Sequence, residues 1–278
     1  MKIFVLFLLV ILVISGAKLQ LNTKDQAIKF YSPAKGIYIV DIDVKKCPDC
    51  LYPYVSDSLE TIETIAEKTN SPVVINTGFF DPTNAKTASY IIKDDQIAAD
   101  PSLNQNLMNN PGIKEYLPDI LNRSEFRILN CEEKQRAFEI VQHNESASSG
   151  CEIIHSIQAG PKLFPELKLS EEVFVVKKGD KIVKQSAGAL EKYARSAIGI
   201  KNRHVLLIAV SNESPMTLPE LAAFVEKLGV DSAMAFDGGS STSLYINLPD
   251  NQKFILTSAK DNAARKVKSA LLIKNLSQ

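Results

Sequence analysis

The sequence predicts an α+β fold: a mixed β-sheet core with flanking helices, organised as one main domain. Three observations predict it. Short apolar runs of strand length recur from Gln26 to Ile273, separated by Gly, Pro and polar residues. Clear helical spacing appears at only a few places, and in two of them the helix leads into a buried run ending on a polar residue and glycine. With 278 residues and 45% hydrophobic content, the chain can bury a sizeable core.

Residues 1–17 are a different material. Lys2 supplies a positive start, Ile3 to Ile14 is a run of 12 apolar residues, and Ser15-Gly16-Ala17 offers a small-x-small cleavage site. Such a run falls short of the roughly 20 residues that a spanning helix needs. A cleaved signal peptide is therefore expected, giving an exported protein, periplasmic or extracellular, with no stable membrane insertion after cleavage. In an oxidising compartment the four cysteines read as two disulfides, most economically Cys47 with Cys50 and Cys131 with Cys151. A thioredoxin-like role for Cys47-Pro48-Asp49-Cys50 is the alternative. His143, His155 and His204 show no pairing with the cysteines, so no metal site is expected. Lys+Arg and Asp+Glu are equal at 32 each, which leaves no global basic field for nucleic acid.

Taken in order, Gln26 to Tyr31 and Gly36 to Val44 read as strands, and Leu51 to Ser58 as a linker. Leu59, Ile62, Ile65 and Ala66 recur at helical spacing to about Thr69, where Asn70-Ser71-Pro72 stops the helix. Val73-Val74-Ile75 is a short buried strand that runs into Asn76-Thr77-Gly78. Phe126 to Leu129 reads as a strand, Glu132 to Gln142 as a helix, and Ser146 to Gly150 as a polar loop. Ile153 to Ile157, a hairpin around Gly179-Asp180, Tyr193 to Ile200, and His204 to Val210 follow as strands. Thr217 to Leu228 is an amphipathic helix with a capping box, Thr217 and Glu220. It leads to the apolar run that stops on Asp237-Gly238-Gly239-Ser240-Ser241. Phe254 to Thr257 and Ser269 to Ile273 close the sheet.

Four polar residues stand where the pattern predicts core: Asn76, Gln158, Arg195 and Asp237. Buried polar groups are costly unless satisfied, so each needs a partner. The Arg195 guanidinium calls for an anion, either Asp237 or Glu220 within the chain or a phosphate or carboxylate of a ligand. Gly238-Gly239-Ser240 matches neither a P-loop nor a nucleophile elbow.

Four segments in order carry a resemblance: Asn76-Thr77-Gly78-Phe79-Phe80, Gln158-Ala159-Gly160-Pro161-Lys162-Leu163, Arg195-Ser196-Ala197-Ile198-Gly199-Ile200, and Pro215-Met216-Thr217-Leu218 through to Asp237-Gly238-Gly239-Ser240-Ser241. They resemble the phosphodiester glycosidase family. The resemblance implies a catalytic domain over 71–278, with the strands and helix of 18–70 packed on it, hydrolysing a carbohydrate phosphodiester. It implies Asp237 as base, nucleophile or charge stabiliser at the anomeric centre and Asn76 orienting sugar or water. A second carboxylate would be Glu220 or Asp81. Arg195 and the backbone amides of Gly238, Gly239 and Ser240 would hold the phosphodiester, with Gly78, Gln158, Gly160, Lys162 and Ser241 lining the substrate. It requires no cofactor. Thr77 stands where family members often carry a smaller residue, and Ser240 where some carry a third glycine. A metal-assisted phosphodiesterase using Asp237 and Asp81, and a non-catalytic sugar- or phosphate-binding envelope protein, remain as alternatives.

Overall fold

The computed structural model describes residues 19–20, 27–249, 252–259 and 264–274. The expected signal peptide, 1–17, lies outside them. Two antiparallel sheets face each other across the main core. A seven-stranded sheet runs in the order Leu19–Gln20, Ile28–Ala34, Ile37–Asp43, His204–Val210, Arg195–Lys201, Ser232–Ala235, Lys162–Phe164. A five-stranded sheet runs Lys253–Thr257, Ser243–Asn247, Val73–Asn76, Val267–Ile273, Leu51–Glu60. Between them Val40, Ile42, Ile198, Val205, Leu207 and Met234 from the first sheet meet Val73, Ile75, Leu244, Ile246 and Leu271 from the second. Burial of this kind stabilises by roughly 25 cal/mol per Å² of apolar surface removed from water.

Each sheet has a helix on its outer face, for a legible reason. Strand residues alternate between faces, so the odd and even positions need separate apolar cover. Ile62–Thr69 packs Ile62, Ile65 and Ala66 against Val74, Tyr245 and Leu272 of the five-stranded sheet. Leu218–Lys227 packs Leu218, Leu221 and Val225 against Ile39, Ala197, Ile208 and Ala233 of the seven-stranded sheet. The capping box expected at Thr217 and Glu220 is formed in both directions. A third sheet, Arg136–Gln142, Ser124–Cys131, Cys151–Gln158, Ile91–Lys93, Gln96–Ala99, adds Phe126, Ile128, Ile140 and Ile157 to the main core.

The balance differs from the expectation: among the described residues strand outweighs helix, 46% to 16%. Two segments account for much of this. Leu51 to Ser58 is not a linker but part of the ten-residue strand Leu51–Glu60, paired with Val267–Ile273. Glu132 to Gln142 is not a helix; after a short 3-10 turn, Arg136–Gln142 is a strand paired along its whole length with Ser124–Cys131. Its polar residues imitate helical spacing, but it occupies a sheet edge, where one face needs little apolar cover. The strands before residue 70 are hydrogen-bonded into both main sheets, Ile37–Asp43 to His204–Val210 and Leu51–Glu60 to Val267–Ile273. Cys47 is bonded to Cys50 and Cys131 to Cys151. Among the described residues no helix is long and apolar enough to cross a membrane.

Candidate active site

The two buried runs that follow helices, Val73–Asn76 and Ser232–Ala235, belong to different sheets, and their carboxyl ends are hydrogen-bonded to each other through Asn76, Thr77 and Asp237. Asn76 is the strut between them. Its Nδ2 donates to the Asp237 carbonyl (2.6 Å), while its Oδ1 accepts from the Ser196 hydroxyl (2.6 Å) and the Ser243 amide (3.0 Å). The Asp237 amide donates to the Thr77 carbonyl (2.7 Å), and the Phe236 amide to that of Ser196 (2.8 Å). Asn76 is 1% exposed. Its side chain is committed to the Asp237 backbone, the Ser196 hydroxyl and the Ser243 amide, tying the two sheets together at this end.

The turn after Asn76 is held just as closely. Ser269 accepts from the Gly78 amide (3.1 Å) and the Thr77 hydroxyl (3.0 Å), and the Ser89 hydroxyl accepts from the Phe79 amide (2.9 Å). A Cβ at Gly78 would lie 2.9 Å from Ser89 Cβ, so glycine is required here by close approach.

Asp237 itself stands at the rim, half-buried, with Gly238 and Gly239 also partly open and Ser240 exposed. Burial pushes its carboxyl up to about 7, partly offset by the Ser241 hydroxyl, the Arg265 guanidinium and the Gly238 amide. A carboxyl that changes charge near neutrality, at a rim reached by water, can accept or return a proton during turnover.

Arg195 is placed differently from expectation. It is 3% exposed, and neither Asp237 nor Glu220 pairs with it. Its Nε donates to the Met216 carbonyl (2.7 Å), Nη1 to that of Ala187 (3.1 Å), and Nη2 to those of Gly188 and Glu191 (2.7 Å each). Burial lowers its guanidinium to about 10. Four carbonyl dipoles do the work the sequence assigned to an anion, and the side chain tethers the 187–191 loop to the segment before the Leu218–Lys227 helix. The Gly-rich turn is also more committed than expected. The Gly239 amide donates to the Ala194 carbonyl (2.8 Å), Gly239 has φ +60°, and the Gly238 amide bonds the Asp237 carboxyl. An amide cradle built from Gly238 and Gly239 is therefore already occupied by the protein.

Glu220 is exposed; it caps its helix through the Thr217 amide (2.8 Å) and pairs with Lys192 (3.1 Å). That first bond holds its carboxyl below the usual range. Asp81, the other candidate carboxylate, accepts from the Thr83 amide (2.8 Å) and hydroxyl (2.6 Å) and from Asn106 (2.8 Å). Gln158 is buried and accepts from the Tyr90 amide (3.2 Å) while donating to the Leu121 carbonyl (2.8 Å). Gly160, at φ +89°, passes so close to Glu172 that a Cβ there would overlap its carboxylate, and the Lys162 amide donates to that carboxylate (2.9 Å). Gln158, Gly160 and the Lys162 backbone thus build the wall beside Ser232–Ala235.

Sequence reasoning missed Ser196, Ser243, Ser269, Glu172 and Arg265. The serines carry no pattern of their own. Arg265 lies in a polar, Ala-rich stretch without strand periodicity, and only its position two residues before the Val267–Ile273 strand places it at this end of the sheet. Ser241 is buried and its hydroxyl bonds the Asp237 carboxyl. A cavity of about 360 Å³ opens elsewhere, lined in part by Asp49, Asp94, Arg136, His155 and Lys274; none of its lining residues belongs to the predicted site.

A partly buried acid stands at the junction of two stacked antiparallel sheets, braced by an asparagine strut and followed by a glycine turn. The family profile of phosphodiester glycosidases matches residues 69–274, and the chain belongs to that family. Solved structures share the fold. The zebrafish N-acetylglucosamine-1-phosphodiester alpha-N-acetylglucosaminidase catalytic domain, auto-inhibited by its pro-peptide, superposes with a TM-score of 0.62 at 14% identity, covering 93% of this chain and 81% of that one. A hypothetical protein from Synechocystis gives 0.56 at 17% identity, covering 92% of this chain and 61% of its own length. A Burkholderia pseudomallei protein gives 0.52 at 12%, covering 86% and 73% respectively. Among curated proteins, none matches the sequence.

Proposed function

We propose that this chain is an exported hydrolase that cleaves a sugar-1-phosphodiester at the anomeric C–O bond. The observation that carries the reading is the Asp237 carboxyl, its backbone fixed at the rim by Asn76 and Thr77, where burial pushes it up to about 7. As a base it takes a proton from water while the water oxygen bonds the anomeric carbon. The C–O bond to phosphate breaks, and the electron pair leaves with the bridging oxygen on a phosphate monoester. That leaving group is weakly basic, so a strong general acid is unnecessary, in keeping with a site where neither Glu220 nor Asp81 faces Asp237 as an established partner. As a nucleophile the same carboxylate would instead form and then release a glycosyl-enzyme. Family membership supports the substrate class, and the two disulfides support an oxidising compartment.

Hydrolysis of a panel of sugar-1-phosphodiesters in ¹⁸O-labelled water tests the reading directly. Label in the sugar is expected. Label in the phosphate would place the attack on phosphorus and move the assignment to a phosphodiesterase; binding of the panel without turnover would make the chain a recognition module.

A further inference from the structure

The register of the five-stranded sheet gathers a second set of polar groups beside Asp237. Val267–Ile273 runs antiparallel to Val73–Asn76 with Ala270 opposite Asn76, so the residues preceding Val267 extend past the end of the Asn76 strand. Ser243–Asn247 is antiparallel to the same strand, with Leu244 opposite Ile75, which brings Thr242 to that end. Lys253–Thr257 pairs with it, Ser243 opposite Thr257, and the Ser258 amide donates to the Thr242 carbonyl (3.1 Å). Asn212 fastens the corner by donating to the Ser258 carbonyl (3.0 Å). Arg265, Thr242 and Ser258 therefore share one rim with Asp237.

These three groups are distinguished by what they lack. Arg265 Nε, Thr242 Oγ1 and Ser258 Oγ are buried atoms without a hydrogen-bond partner among the described residues. The Arg265 guanidinium stands 5.7 Å from the centroid of the Phe80 ring, in the segment that follows Asn76-Thr77-Gly78. Buried donors left unpaired are costly, and three in one corner beside the Asp237 carboxyl mark a place for an acceptor that no other described residue supplies. The occupant should be an anion: Arg265 is a permanent cation with a planar fork that matches phosphate oxygens, and both hydroxyls can donate. Arg195 is committed to carbonyls and the amides of Gly238 and Gly239 to protein acceptors, so the phosphate of a substrate needs another holder.

We propose that Arg265, with the Thr242 and Ser258 hydroxyls, forms the phosphate subsite of this pocket, a role the sequence had suggested for Arg195. The assignment rests on the sugar-phosphodiester reading for its setting but is tested without it. Calorimetric titration of the full chain with inorganic phosphate, near neutral pH and at fixed ionic strength, compares wild type with Arg265→Gln, Thr242→Val and Arg195→Lys, with folding followed by circular dichroism. Arg265→Gln is expected to weaken phosphate at least tenfold and Thr242→Val severalfold. Arg195→Lys should leave phosphate affinity within about twofold while lowering the melting temperature. If Arg265→Gln fails to fold, Arg265→Lys takes its place, keeping the charge and losing the fork, with weakening of severalfold expected. In turnover assays the Arg265 effect should appear in KM for a phosphodiester.

Unchanged phosphate affinity and KM in the Arg265 variants, with only a displaced pH profile, would overturn the proposal and leave Arg265 as a tuner of Asp237. No phosphate binding by wild type would also overturn it. Arg265-dependent phosphate binding in a protein that hydrolyses no sugar-1-phosphodiester would leave the subsite standing and remove the glycosidase reading.

Discussion

Glu172 and Asp237 are both carboxyls that burial pushes above their usual range, yet they sit in opposite kinds of surroundings. Glu172 is wholly enclosed. Its oxygens accept from the Ser124 hydroxyl (2.7 Å) and amide (3.0 Å) and from the Lys162 amide (2.9 Å). Arg123 completes the knot by donating to the Glu172 carbonyl (2.9 Å) while its guanidinium lies 3.9 Å from the centroid of the Phe174 ring. Asp237 has a backbone held as firmly, by Asn76 and Thr77, but a carboxyl with fewer donors and an opening to water. A raised pKa thus does not distinguish chemistry from architecture. Enclosure and saturation separate the two: the enclosed acid orders the loop around Gly160, while Asp237 keeps fewer donors and an opening to water, the setting that the proposed reaction needs.

The largest effect expected from this contrast is on turnover. Asp237→Asn keeps the shape and the backbone bonds to Asn76 and Thr77, so folding should survive while kcat falls by about 10²–10⁴-fold, the range for a positioned proton-transfer group. The wild-type rate should rise with pH through about 7, as Asp237 loses its proton, and any residual rate in the variant should lack that step. Stability should run the other way. Because the folded carboxyl titrates above its unfolded value of 3.8, its contribution is fully present below that value and is lost as pH rises through about 7. Asp237→Asn should flatten that part of the stability profile, which thermal melts across the pH range would show. An active Asp237→Asn enzyme would remove Asp237 from the mechanism.

The converse change is Glu172→Gln. An amide in that knot turns one acceptor into a donor facing the Ser124 or Lys162 N–H, leaving a buried donor unpaired at about 1–3 kcal/mol. A lower urea midpoint with kcat per folded molecule retained is the expected result. A loss of kcat without a loss of stability would bring Glu172 into the chemistry.

This division also explains what the sequence could tell. The buried strands at Val73 to Asn76 and His204 to Val210 were legible because continuous apolar runs have few other uses, and the Thr217 helix because its capping box is local. Leu51–Glu60 and Arg136–Gln142 were not, since a strand with Pro53 or a polar edge pattern takes its structure from distant partners. Within the site, Asp237 and Asn76 announced themselves as polar residues ending apolar runs. Arg195 did so too, and misleadingly: an arginine in a core pattern signals a demand for acceptors, but not whether a ligand or four carbonyls meets it. Arg265 has no pattern, because its place at the rim comes from the antiparallel register alone.

The smallest effect belongs to Glu220, which the sequence offered as a second catalytic carboxylate. Its two jobs are visible at the helix start, accepting from the Thr217 amide and pairing with Lys192, and both are at the surface. A glutamine at the third position completes a capping box as well as a glutamate does, because its carbonyl oxygen accepts the same amide proton. What Glu220→Gln removes is a charge from an exposed ion pair, and such pairs contribute little in water. The melting temperature should therefore move by no more than the error of the measurement, and kcat and KM should match wild type at every pH tested. A drop in kcat with a displaced acidic limb of the pH profile would contradict the cap assignment and return Glu220 to the reaction as the acid that protonates the leaving phosphate.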